Sequence, residues 1–81
     1  MKIEVKLFAV ARQWAGADRV ELDLPDAPTV GAARHALLAR LPKLARFGSQ
    51  LRFAVNADYA DDNTKISAGS DVACIPPVSG G

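Results

Sequence analysis

The residues of this chain best placed to do chemistry are its last six, Pro76-Pro77-Val78-Ser79-Gly80-Gly81. They end in a free α-carboxylate on a double glycine. Glycine adds no Cβ and no core, and it maximises chain entropy, so its use here is steric. Backbone alone is thin enough to thread a narrow channel. Fully extended, Val78 to Gly81 reach about 13–14 Å at ~3.3–3.6 Å per residue. A carboxylate is a poor acyl donor until something activates it, most simply as an acyl-adenylate made with ATP. The activated carbonyl then accepts a sulfur or an amine nucleophile. A frayed terminus or an expression remnant has a similar composition. Against those readings, the tail follows directly on an apolar strand and a stiff Pro-Pro, which is poor linker design.

The remaining reactive side chains form no constellation. One cysteine excludes an intrachain disulfide, and Cys74, inside an apolar run, reads as a buried, inert hydrophobe. His35 is alone on a helical stretch, which rules against a Ser–His–Asp arrangement. Asp61-Asp62 and the Asp18/Glu21 pair read as loop solvation and strand charge. Gly31 opens a helix without the partner glycines and lysine of a phosphate-binding loop. No metal-ligand spacing occurs. The chain is therefore expected to bind no metal and no cofactor of its own and to hold no catalytic site. Its tail is then a substrate of other enzymes.

Composition sets the frame. Eighty-one residues make one domain, and a chain this size buries only about 60–65% of its unfolded surface. Apolar content of 49% and charged content of 23% are those of a globular protein. A net charge of +1 argues against nucleic acid as a partner, which requires a clustered basic field. The one basic cluster, Arg34, Arg40, Lys43 and Arg46, has near-helical spacing and reads as a solvated face. No apolar run approaches a membrane span and the N-terminus lacks a signal-peptide core, so the expected location is the reducing cytoplasm, away from membranes.

The elements that must carry the tail follow from periodicity. In residues 2–9, Ile3, Val5 and Leu7 share one face, while Lys2, Glu4, Lys6 and Phe8 share the other. Phe8 thus lies among charges, either covered by the next segment or exposed for a partner. Residues 10–16 read as a short helix stopped by Gly16, with Trp14 packed across the domain. Val20, Leu22 and Leu24 mark a second strand, antiparallel to the first, ended by Pro25 and Pro28. Thr29 is a good N-cap for an amphipathic helix over residues 30–41 with Val30, Ala33, Leu37 and Leu41 inward. Pro42 to Phe47 read as a further helical turn ending at Gly48. Leu51, Phe53 and Val55 mark a third strand with its odd residues inward. Asn56-Ala57-Asp58 is a turn into a very short edge strand at Tyr59-Ala60. Thr64 to Ile66 add a short strand or helical turn. After the turn at Ala68 to Asp71, Val72 to Ile75 form the last strand, with Val72 and Cys74 on one face and Ala73 and Ile75 on the other.

Two hairpin-like pairs flank one main helix. The compact solution is an α+β, ubiquitin-like β-grasp: a mixed sheet with the helix across one face and the first and last strands parallel at its centre. Residues 1–75 are the expected domain and residues 76–81 the tail, expected to be mobile. If the first and last strands are neighbours, Phe8, Ile75, Pro77 and Val78 form one apolar patch leading to the tail, and exposed apolar patches mark interfaces.

With these residues in place the chain resembles a known family, the small subunit of molybdopterin synthase, a ubiquitin-like sulfur carrier. The matching stretches are Leu7-Phe8-Ala9 with Arg12, Pro28-Thr29-Val30, Ala54-Val55-Asn56, and Gly69-Ser70-Asp71-Val72-Ala73 running on into Pro76-Pro77-Val78-Ser79-Gly80-Gly81. The resemblance implies that an activating enzyme, with a zinc-supported structure of its own, adenylates Gly81 using ATP. Sulfur from a sulfurtransferase then makes the thiocarboxylate. The charged carrier docks on the large synthase subunit and gives its sulfur to a cyclic pyranopterin phosphate, building the dithiolene of the molybdenum cofactor. Two sulfurs per product require recharging or exchange of carriers, and the family's assemblies are heterotetramers, a large-subunit dimer with a carrier at each end. Gly81 carries the sulfur and Gly80 meets the steric requirement. Phe8 and Ile75 are apolar docking positions, with Pro76, Pro77, Val78 and Ser79 leading into the partner. A carrier for thiamin thiazole, a modifier conjugated to lysines through Gly81, and a binding module with an inert tail are the competing functions.

Overall fold

The computed structural model describes residues 1–77; Val78, Ser79, Gly80 and Gly81, and with them the expected mobility of the tail, lie outside the described residues. Five strands and two α-helices follow one another along the described residues: β1 (Lys2–Leu7), α1 (Ala9–Ala15), β2 (Arg19–Asp23), α2 (Val30–Arg40), a 3-10 segment (Pro42–Gln50), β3 (Arg52–Val55), β4 (Asp58–Ala60) and β5 (Val72–Ile75). The strands make one mixed sheet in the order β2-β1-β5-β3-β4. β1 and β5 run parallel at its centre, Val5 opposite Val72 and Leu7 opposite Cys74. The outer pairings are antiparallel. This is the β-grasp that the sequence pattern implies.

Alternation decides which face each side chain takes. Ile3, Val5 and Leu7 of β1, Val20 and Leu22 of β2, Phe53 of β3, and Val72 and Cys74 of β5 point inward and are buried together with Val30, Ala33 and Leu37 of α2. The core is thus a single layer between sheet and helix, closed at one end by Leu44 and Leu51. Thr29 caps α2 as its type predicts: its hydroxyl accepts a hydrogen bond from the Ala32 N–H at 3.2 Å. Gly16, at φ 71°, ends α1 in the left-handed region. Trp14 stacks on Phe47, ring centroids 5.9 Å apart.

Three details depart from the sequence pattern. The turn after α2 is a 3-10 segment that runs on to Gln50, with a break at Gly48 (φ 53°, ψ −131°). Thr64 to Ile66 contribute an isolated bridge, Lys65 to Thr29, in place of a full strand or a helical turn. Arg34 does not belong to a solvated basic face. Its guanidinium lies 5.1 Å over the Phe53 ring, donates to the Leu51 carbonyl at 2.6 Å and pairs with Asp62 at 3.1 Å. A long side chain buries its stem and keeps its head satisfied, so spacing alone misplaces it. Arg34 and the Gly31 N–H, bonded to the Asp62 carbonyl at 2.9 Å, fasten the 61–64 loop to the start of α2.

Candidate functional site

The tail is launched from β5, so the site is the sheet face turned away from α2 and centred on that strand. Register places three rows of side chains across it. The middle row runs Arg19, Lys6, Ala73, Ala54, Tyr59. The row nearest the tail is Phe8, Ile75 and Arg52, since Arg52 opposes Ile75 and the Phe8 N–H bonds to the Cys74 carbonyl at 3.3 Å. The far row carries Glu4 and Asp71. Two alanines at the centre and larger groups around them leave a shallow trough of about 350 Å³ lined by Lys6, Phe8, Ala54, Tyr59, Ala73 and Ile75, among others.

Phe8 is 47% exposed, so no local segment covers it. It holds that position because the chain turns sharply after it. Ala9 sits at φ 52°, and the Phe8 carbonyl accepts from the Ala11 N–H at 3.1 Å to start α1. Tyr59, 65% exposed, is the second aromatic of this face. These two rings and Met1 are the large hydrophobic side chains left exposed among the described residues. Sequence reasoning placed Phe8 and Ile75 here but gave Tyr59, Ala54 and Ala73 no role. The signal for them was the alternation itself: Ala54 and Ala73 are the outward positions of β3 and β5, and Tyr59 follows from pairing the turn at Asn56-Ala57.

The prolines divide. Pro76 continues the alternation inward and is fully buried, whereas Pro77 is half-buried and borders a second depression with Ile75, Arg52 and Tyr59. The apolar line to the tail therefore runs through Phe8, Ile75 and Pro77, and Pro76 anchors its root. Val78, Ser79, Gly80 and Gly81, named from sequence as docking and sulfur-bearing positions, lie beyond the described residues.

The electrostatics offer no reaction centre among the described residues. Cys74 is buried and free, and burial pushes its thiol up to about 12, partly opposed by the Arg34 charge. Such a thiol stays protonated and unreactive near neutral pH. His35 is exposed. Asp61 accepts from the Asn63 N–H and the Thr64 hydroxyl, as a loop-capping residue does. No group of three His, Cys, Asp or Glu side chains among the described residues could hold a metal, and no helix there is long and apolar enough to cross a membrane.

A sheet with one helix-covered face and one open face, in a chain ending in Gly-Gly, has close counterparts. The Escherichia coli (strain K12) molybdopterin synthase sulfur carrier subunit is 36% identical over 98% of this chain and 99% of its own length. The crystal structure of SAMP1 from Haloferax volcanii superposes with a TM-score of 0.84 at 32% identity, covering 100% of both chains. A chain of the complex of subunits 1 and 2 of the molybdopterin-converting factor from Helicobacter pylori 26695 shares the fold, with a TM-score of 0.66 at 24% identity over the whole of both chains. A family model described as ThiS family matches residues 5–81, the tail included. With the family model matched over residues 5–81 and the fold shared over the whole chain, the chain belongs to the ThiS family.

Proposed function

We propose that this chain is a sulfur carrier of molybdopterin synthesis, its C-terminal Gly81 bearing the sulfur as a thiocarboxylate. The observation that carries the reading is the join of two features: a Gly-Gly terminus, and an apolar line of exposed Phe8 and half-buried Ile75 and Pro77 beside it. Relatives matched over nearly their full length bear the name of molybdopterin synthase sulfur carrier subunit, which favours this cargo over thiamin thiazole. The folded body supplies the address and the tail supplies the reactive atom.

The steps follow from carboxylate chemistry. An activating enzyme condenses the Gly81 carboxylate with ATP, releasing pyrophosphate and leaving the acyl-adenylate. A sulfide-level sulfur delivered by a sulfurtransferase adds to the acyl carbon, AMP leaves, and the thiocarboxylate results. The charged carrier then seats its open sheet face on the large subunit of molybdopterin synthase, and Gly80 and Gly81 enter that subunit's active site because neither has a side chain to obstruct entry. Sulfur passes to the cyclic pyranopterin phosphate, and water returns the tail to its carboxylate. Phe8 and Ile75 are the docking anchors, aromatic and aliphatic side chains being favoured at the dry centre of interfaces.

A second reading has a specific observation behind it. Small archaeal modifier protein 1 of Haloferax volcanii is 34% identical to this chain, and the same acyl-adenylate could pass to a lysine amine. The thiocarboxylated chain, mixed with the large subunit and cyclic pyranopterin phosphate, is expected to form the dithiolene product. Absence of product, together with stable adducts on lysines of other proteins, would replace the carrier by the modifier.

A further inference from the structure

The open face is nearly neutralised by its own ion pairs, with one exception. Lys2 pairs with Glu21 at 3.7 Å, Arg19 with Glu4 at 2.9 Å and Lys6 with Asp71 at 3.2 Å. These three pairs serve every cation of the β2–β1–β5 side. Arg52, in the row nearest the tail, is the cation of this face left without a carboxylate at ion-pair distance or a hydrogen-bond acceptor among the described residues. Its neighbour Arg34 takes Asp62, and Asp61 is engaged by its own loop. Meanwhile the Arg52 guanidinium carbon lies over the Tyr59 ring, 5.2 Å from its centroid, beside Ile75 and Pro77. Stacking on an aromatic face fixes the plane of the fork and leaves its edge free for a bidentate partner.

We propose that the Arg52–Tyr59 pair is a specificity element of the docking face, built to receive an Asp or Glu carboxylate of the molybdopterin synthase large subunit at the mouth through which the tail enters. The inference rests on the docking reading given above and adds the sign and place of the partner's charge. An apolar patch alone holds a partner without strongly fixing its rotation. A preorganised cation at one end of the Phe8–Ile75–Arg52 row sets the register and rejects partners carrying a cation there, because complementary charge contributes chiefly to specificity and association rate. Tyr59 is the positioning residue: its ring holds the guanidinium in place before contact.

The test is calorimetric titration of the chain into the large subunit from the same organism, at low and high salt. Arg52→Glu is expected to weaken binding by about 10- to 100-fold, and Arg52→Leu to remove much of the salt dependence shown by the wild type. Tyr59→Leu is expected to lose severalfold in affinity while keeping the salt dependence. Arg52 is exposed, so unchanged thermal unfolding of these variants is the check that the fold is intact. Arg52→Glu binding within twofold of wild type, or Arg52→Leu binding as tightly at low salt, overturns the inference. Phe8→Ala separates the two levels. If it abolishes binding while Arg52→Glu does not, the docking reading stands and the Arg52 element falls; if neither variant loses binding, both fall.

Discussion

The two faces of the sheet are made from the same five strands by the same alternation, yet they solve opposite problems. The inner face is continuous: Val5, Leu7, Phe53, Val72 and Cys74 meet Val30, Ala33 and Leu37 of α2 with nothing polar between them. The outer face sets small residues, Ala54 and Ala73, between two exposed aromatics, Phe8 and Tyr59, and rings them with charge. Inner side chains are in their final environment once the chain has folded. On the outer face, Phe8 and Tyr59 remain exposed after folding. On the function proposed above, stability and docking lie on different sides of one layer. Substitutions that separate them test the division.

The largest expected effect is on the inner face. Phe53→Ala removes a fully buried ring from a core one layer thick and is expected to cost about 3–5 kcal/mol, enough to unfold much of so small a domain; urea denaturation reads the loss. Phe8→Ala is the mirror experiment. It is expected to change folding stability by less than about 0.5 kcal/mol while costing about 2–4 kcal/mol of affinity for the large subunit, as a central aromatic anchor does. Equal effects of the two variants on stability would erase the distinction between the faces.

Cys74 sharpens the inner side by titration. Its thiol is pushed up to about 12 in the fold, against 9.0 for the free group. Below pH 9 both states hold the proton and stability is unaffected by pH through this group. Above it the unfolded chain ionises first, so stability falls as pH rises from about 9 towards 12. Thiol reagents at pH 8 are expected to label the protein only as fast as it opens, and rapid native labelling would show that Cys74 is not buried.

Smaller effects mark the scaffold. A Cβ at Gly31 would lie 3.2 Å from the Asp62 carbonyl oxygen, so Gly31→Ala is expected to cost about 1 kcal/mol by pushing the 61–64 loop off α2. Ala57 holds φ 73° in the turn after β3, a conformation better suited to glycine. Ala57→Gly is expected to raise stability by under about 1 kcal/mol, read as a small rise in Tm.

Much of the fold was legible because it depends on period two and on punctuation. Ile3, Val5 and Leu7 alternate cleanly, Thr29 caps and Gly16 stops, and the central parallel pair follows from β1, one crossover helix and β5. The outward placement of Phe8 and Ile75 was legible for the same reason: a side chain on the charged side of a strand has no core to enter. Arg34 was not legible, since its place depends on Phe53, Leu51 and Asp62 arriving from distant positions. Nor was the charge pattern of the open face. That Lys6 spends its charge on Asp71 while Arg52 stacks on Tyr59 is fixed by sheet order β1-β5-β3-β4. Local sequence does not contain it. Pro76 was assigned to the tail by its neighbours, but alternation from Ile75 turns it into the core.

The central claim is that the body is a handle and Gly81 the reacting residue. Intact-mass measurement after incubation with the activating enzyme, ATP and a sulfur source tests it most directly, with a chain lacking Gly81 as control. The wild-type chain is expected to gain the mass difference between sulfur and oxygen. The shortened chain is expected to unfold at the same temperature and gain nothing. No mass change in the wild type with its proper activating enzyme, or a shortened chain that fails to fold, would contradict the account.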